Sequence, residues 1–231
     1  MIILPSLVKH TKPRPSRPKF EELYLIPDYE KSKNFWKDVY LFLFSAGVTS
    51  PLSKDFHKNI NALYGYFGNR MHPSTMEPNY FHLGIEIQTK GKQAVKPILK
   101  GRLEYSGYGA VNGYYVLLSH PHIQTEDGYI LHTMYCHLKK PLVKFSSYQK
   151  MLREISLGSY PLIEISEDTI LGYTGVSGIN TNKKRALYLQ CDFRKYNKKS
   201  IVVDPMKFYR KKDYTNISDG MTCPVEFKKQ Q

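Results

Sequence analysis

At 231 residues the chain is long enough for one sizeable domain with extensions, or for two small ones. Hydrophobic residues make up 41% and tyrosine alone numbers 19, which excludes a chain disordered by composition; no apolar run approaches the length of about 18 residues that a membrane-spanning helix needs. A net charge of +14, from 34 Lys and Arg against 20 Asp and Glu, attracts polyanions such as nucleic acid, anionic lipid or acidic wall polymers, without choosing among them.

In chain order, the first residues lack the charged region, apolar run and cleavage site of a signal peptide. Residues 10–19, HTKPRPSRPK, alternate proline with basic residues and read as an extended arm. Residues 28–48, DYEKSKNFWKDVYLFLFSAGV, carry apolar residues at helical spacing after an acidic start and predict an amphipathic helix.

From about residue 50 the pattern changes to short β-rich runs: HLGIEIQ, AVKPILKGRLEYSG, GYYVLLSH, YILHTMYCHL, DTILGYTG and RALYLQCDF. Turn signals such as TKGKQ, TEDG, TGVSG and KYNKKS separate them, which is the signature of an antiparallel sandwich or barrel. One interruption, SSYQKMLREISLG at 146–158, predicts a short inserted helix, and the last twenty residues read as a polar, basic tail. The expected organisation is an arm and helix over 1–49, a β domain over 50–210 and a tail over 211–231.

The three cysteines, Cys136, Cys191 and Cys223, are odd in number and form no Cys-x-x-Cys, so they read as buried or unreactive thiols. Of the eight histidines, His10 lies in the arm, His57 in a polar loop, and His120 and His122 flank Pro121 in an expected turn. His82 and Glu86 stand four residues apart with Gly84 between them. On a regular strand that spacing is about 13 Å at Cα, whereas zinc bonds its ligands at about 2 Å. The pair can share a metal only if the chain bends, which Gly84 permits. Otherwise a histidine in a half-buried strand is a hydrogen-bonded structural residue.

The order of motifs carries more than any one of them. FGNRMHP is followed by FHLGIEI, YYVLLSH, YCHL, DTILGYTGVSG, ALYLQCDF and VVDPMKFY. Over roughly residues 64–209 this succession resembles the lysostaphin-type (LytM-like) zinc endopeptidases of bacterial cell walls. In that family FGxRxHP precedes HxGxD, and YxHL, GxTGxS, HLHFE and a closing DP segment follow. The resemblance implies a mainly β fold, an antiparallel sandwich or barrel of the LytM-like (duplicated hybrid motif) type, and a location in the cell envelope or outside the cell.

It also implies roles. His82 and Glu86 stand where the family has its first two zinc ligands, with glutamate in place of aspartate. His137 stands at the catalytic histidine of YxHL. In YLQCD, Tyr188 replaces the second catalytic histidine, Gln190 replaces the third zinc ligand, and Asp192 keeps the acidic end. No histidine occurs after His137, so no shift of register restores the motif.

A catalytic zinc needs about three protein ligands and an open position for water, and a neutral amide oxygen is a poorer zinc donor than imidazole. Zinc is therefore expected to be weakly held or absent. Tyr188, with an ordinary pKa of about 10, is a poor base at neutral pH, although its hydroxyl could donate to an oxyanion. Strand alternation points Tyr188, Gln190 and Asp192 one way and Cys191 the other, and the same reasoning turns Cys136 away from the groove.

The leading expectation is a degenerate, catalytically impaired member that binds a peptidoglycan-like peptide or a protein partner in its groove. The alternative is an active zinc endopeptidase cleaving peptidoglycan cross-link peptides. Nucleic-acid binding through the basic segments HTKPRPSRPK and YRKKD ranks last, because no recognised nucleic-acid motif supports it.

Overall fold

The computed structural model describes residues 24–25, 48–52, 55–60, 65–70, 80–125, 127–145, 162–178 and 184–209. Twelve strands follow in chain order: β1 Tyr24–Leu25, β2 Gly68–Arg70, β3 Tyr80–His82, β4 Gly84–Gln88, β5 Ala94–Val95 and β6 Gly101–Gly109, then β7 Gly113–Gln124, β8 Ile130–Pro141, β9 Glu164–Ile165, β10 Gly172–Thr174, β11 Ala186–Arg194 and β12 Ser200–Val203. The described helices are two 3-10 turns, Phe56–Asn59 and Pro205–Phe208. The helices expected over 28–48 and 146–158, the basic arm and the basic tail lie outside the described residues, apart from the short pieces given above. Among the described residues no helix is long and apolar enough to cross a membrane.

The expectation of a mainly antiparallel β fold holds. Ten strands join in one sheet whose main path runs β1-β12-β11-β8-β7-β6-β9, while β4 pairs β11 and β10 bridges β8 to β5. No pairing among the described strands closes this order on itself. One pair departs from the antiparallel pattern, since β1 lies parallel to β12. β2 and β3 form a separate two-stranded ribbon.

Alternation explains which residues are buried. On β11, Leu187, Leu189, Cys191 and Phe193 face the core, opposite Tyr135, Thr133 and Leu131 of β8. Ile85 and Ile87 of β4 and Val116 and Leu118 of β7 complete that layer. The remaining residues of β11, Ala186, Tyr188, Gln190, Asp192 and Arg194, lie on the other face.

β8 keeps the same phase from Leu131 to Cys136 and then changes it. His137 has φ +61°, and this left-handed residue lets Leu138 rejoin the core beside Tyr135. The change corrects the expectation for Cys136. Its register partner is Tyr188, so the two side chains share the groove face rather than pointing apart. Burial pushes the thiol pKa of both Cys136 and Cys191 upward, which keeps both protonated and unreactive.

A second correction concerns His120 and His122, which lie within β7 and not in a turn. The strand carries a bulge between His120 and Gln124. His120 is fully buried; its Nδ1 lies 2.8 Å from the Lys100 carbonyl and its Nε2 2.9 Å from the Thr133 hydroxyl. Burial lowers its pKa to about 4, so it is held neutral.

Candidate functional site

The groove face of β11 meets β4 on one side and β8 on the other. The register opposes Tyr188 to Glu86 and to Cys136, and Gln190 to Gly84 and to Met134. The chain breaks between β3 and β4 at Leu83, so His82 belongs to the ribbon and Glu86 to the main sheet. The bend expected at Gly84 thus occurs beside it. A Cβ on Gly84 would stand 2.3 Å from the Leu189 carbonyl oxygen, so the close approach of β4 to β11 requires glycine here.

Two imidazoles flank the Tyr188 ring, His82 at 5.2 Å and His137 at 6.1 Å between centroids. Each is held from behind by a main-chain carbonyl. His82 Nδ1 lies 2.7 Å from the Tyr66 oxygen, and His137 Nδ1 lies 2.8 Å from the Ser177 oxygen. A carbonyl only accepts, so in both rings Nδ1 carries a proton, and in the neutral form of each ring Nε2 is the acceptor nitrogen. Burial lowers the pKa of His137, while its bond to Ser177 acts the other way.

The TGVSG turn supplies the backing for His137. Ser177 Oγ donates to the Leu138 carbonyl at 2.7 Å and accepts from the Tyr114 amide at 2.9 Å. The turn closes so tightly on the β6–β7 hairpin that a Cβ on Gly178 would stand 2.3 Å from the Gly113 nitrogen, and both glycines have positive φ. The motif therefore works by locking the strand end that aims His137.

The rest of the face is a chain of side-chain bonds. Tyr188 Oη donates to Gln190 Oε1 at 3.0 Å, and Gln190 Nε2 donates to Asp192 Oδ1 at 3.3 Å. Arg194 grips Asp192 with two nitrogens, Nε to Oδ2 and Nη2 to Oδ1. Asp192 is fully buried and Arg194 about one-third exposed, so the ion pair is largely shielded from water. A carboxylate paired with arginine can only accept. This settles the amide of Gln190, with its nitrogen toward Asp192 and its oxygen toward Tyr188.

The site can therefore be tested against the zinc that the motif order implies. The donor wanted from Gln190 is the oxygen that already accepts from Tyr188. Among the described residues, no group of three His, Cys, Asp or Glu side chains is placed to hold a metal ion. The described residues do not fit a catalytic zinc.

Five of the six residues singled out in the sequence, His82, His137, Tyr188, Gln190 and Asp192, form one contiguous set of ring contacts and hydrogen bonds. The sixth, Glu86, stands across the strand pair from Tyr188. The sequence reading missed Arg194, although alternation from Asp192 places it on the same face. It also missed Ser177 and Tyr66, which act through main-chain oxygens and so leave little side-chain signal.

No family model matches the sequence, and no curated protein matches it. The fold is mainly antiparallel β-sheet, and solved structures of M23/LytM peptidases and of SpoIIQ are similar to it at distant identity. Against a chain of the SpoIIQ–SpoIIIAH pore-forming complex the TM-score is 0.48 at 16% identity, covering 72% of this chain and 92% of that one. For lysostaphin in solution the values are 0.41 and 21%, covering 68% and 52%. For a zinc-containing peptidase from Vibrio cholerae they are 0.41 and 18%, covering 63% of this chain but only 35% of the peptidase. At this distance the similarity concerns the chain trace, and what the site does follows from its own side chains.

Proposed function

We propose that the β domain read over residues 50–210 is a LytM-like domain whose groove binds a peptide-like ligand without hydrolysing it. The observation that supports this most is the closed chain Tyr188–Gln190–Asp192–Arg194. It engages the Gln190 amide, which stands at the third-ligand position, in protein–protein hydrogen bonds on both its oxygen and its nitrogen. The Tyr188 hydroxyl donates its proton to Gln190 Oε1 and so is not set up as a base. What remains on that face is the half-buried Tyr188 ring between two imidazoles, an aromatic surface that suits contact with a peptide. The occupant is a peptidoglycan-like peptide or a segment of a protein partner.

A second reading, an active zinc endopeptidase acting on peptidoglycan cross-link peptides, draws on the two imidazoles. His82 and His137 both turn Nε2 into the acceptor role that a ligand or a base requires. Metal content after purification without chelator, together with an assay on oligoglycine and wall peptides, separates the two. The binding reading expects no stoichiometric zinc, no turnover, and retention on purified peptidoglycan or a partner column that weakens when Tyr188 is replaced by Ala. Stoichiometric zinc that disappears with His82→Ala, accompanied by turnover, would overturn it. Failure to retain either class of ligand would count against it as well.

A further inference from the structure

β4 carries a groove-side residue beyond Glu86. Gln88 is two positions on, about 7 Å along the strand, and pairs with Ala186. Here the sheet end opens onto a pocket of about 550 Å³ lined by Gln88, Lys58, Lys90, Lys184 and Arg185; no carboxylate is among its described lining residues, and Asp55, outside that lining, pairs with Lys58 at 3.4 Å. The lining comes from three separate stretches of chain: the Phe56–Asn59 turn, the end of β4, and the approach to β11.

Two further observations give the pocket a chemical direction. Gln88 Nε2 is buried and has no hydrogen-bond partner. Buried donors in folded proteins are nearly always satisfied, so an orphan of this kind points to a missing acceptor. The basic wall is also partly fixed in place. Arg185 Nη1 donates to the Thr174 carbonyl at 2.6 Å, and the Arg185 carbonyl accepts from the Thr89 amide at 2.9 Å. Pinning the guanidinium before any ligand arrives lowers the ordering cost of binding.

We propose that this pocket is an oxyanion site that takes a phosphate group. A single carboxylate would meet one cation, whereas four basic side chains, with the buried Gln88 amide donor beneath the wall, suit a group with several oxygens and up to two charges. The volume lies within the range of about 300–1,000 Å³ typical of small-molecule sites and far exceeds a bare phosphate. The group therefore arrives on a larger body, either a free phosphomonoester or a phosphodiester unit. The site stands independently of the groove reading, since it needs no assumption about hydrolysis.

The test is calorimetric titration of the whole chain with pyrophosphate, glycerol 3-phosphate, dimethyl phosphate and acetate. Saturable binding of the phosphates at one site is expected, weakened at least tenfold by Lys90→Ala and beyond detection by Gln88→Glu, which replaces the buried donor with a charged acceptor. Lys90 is exposed, so its variant tests the site without threatening the fold. Lys195→Ala and Lys198→Ala, which remove the same charge elsewhere, are expected to leave affinity unchanged. Preference for glycerol 3-phosphate over dimethyl phosphate assigns a monoester, and the reverse assigns a diester. Acetate binding as tightly as the phosphates, or equal weakening by the control variants, would overturn the proposal. Either failure leaves the zinc and peptidoglycan results unaffected, so the two readings fall separately.

Discussion

Neighbouring residues along β11 answer to different physics. Leu187, Leu189, Cys191 and Phe193 are at most 1% exposed and meet other apolar side chains, so what matters on that face is volume. Tyr188, Gln190, Asp192 and Arg194 are joined donor to acceptor, so what matters there is partner identity. An apolar contact can be traded for another of equal size, whereas a bonded polar chain has one arrangement in which every member is satisfied. The core face therefore holds the fold, and the groove face holds a particular chemistry.

The strongest challenge to this contrast is Phe193→Ala. It empties a fully packed site and is expected to cost about 3–5 kcal/mol in denaturant unfolding. A loss below about 1 kcal/mol would mean that the core face does not carry the fold.

A smaller effect comes from a fully buried histidine on the core face. His120 has its pKa lowered to about 4 from an ordinary value of about 6.5. Between those values the unfolded chain binds the proton and the folded chain does not, so stability rises with pH across the window. The contribution is complete above about pH 6.5 and falls away as the pH approaches 4, by about 3 kcal/mol in total. Denaturation curves from pH 7 to 4.5 should show this slope, and His120→Gln should flatten it. Lowered pKa values at His132 and His137 add slopes of the same sign. An unchanged slope in the variant would show that a charged imidazole is tolerated on the core face.

The smallest expected change is on the groove face. Tyr188→Phe removes the hydroxyl that donates to Gln190 and should cost about 0.5–1.5 kcal/mol, while retention of ligand falls by more than stability does. Equal retention by the variant would reduce the groove face to a structural role.

Much of this was legible before any coordinates. The alternation in ALYLQCDFR separates the apolar set from the polar one, and the order of FHLGIEI, YCHL, TGVSG and YLQCD gathers the residues that meet in the groove. Less visible were places where the backbone leaves its regular period. His137 at positive φ shifts the phase of β8 and brings Cys136 across from Tyr188, a placement that simple alternation reverses. The bulge in β7 let a histidine-proline-histidine run pass for a turn.

By itself the sequence determined the period and polarity of each strand, because side chains alternate on any extended backbone and the apolar half must leave water. It also determined the shortage of imidazole, since no histidine follows His137. Only the tertiary structure decided the register that sets Tyr188 between two histidines, the direction of the Gln190 amide, and the meeting of Lys58, Lys90, Lys184 and Arg185 around Gln88. Those depend on how distant segments pack against one another, and one step of slippage between strands would move every side chain to the opposite face.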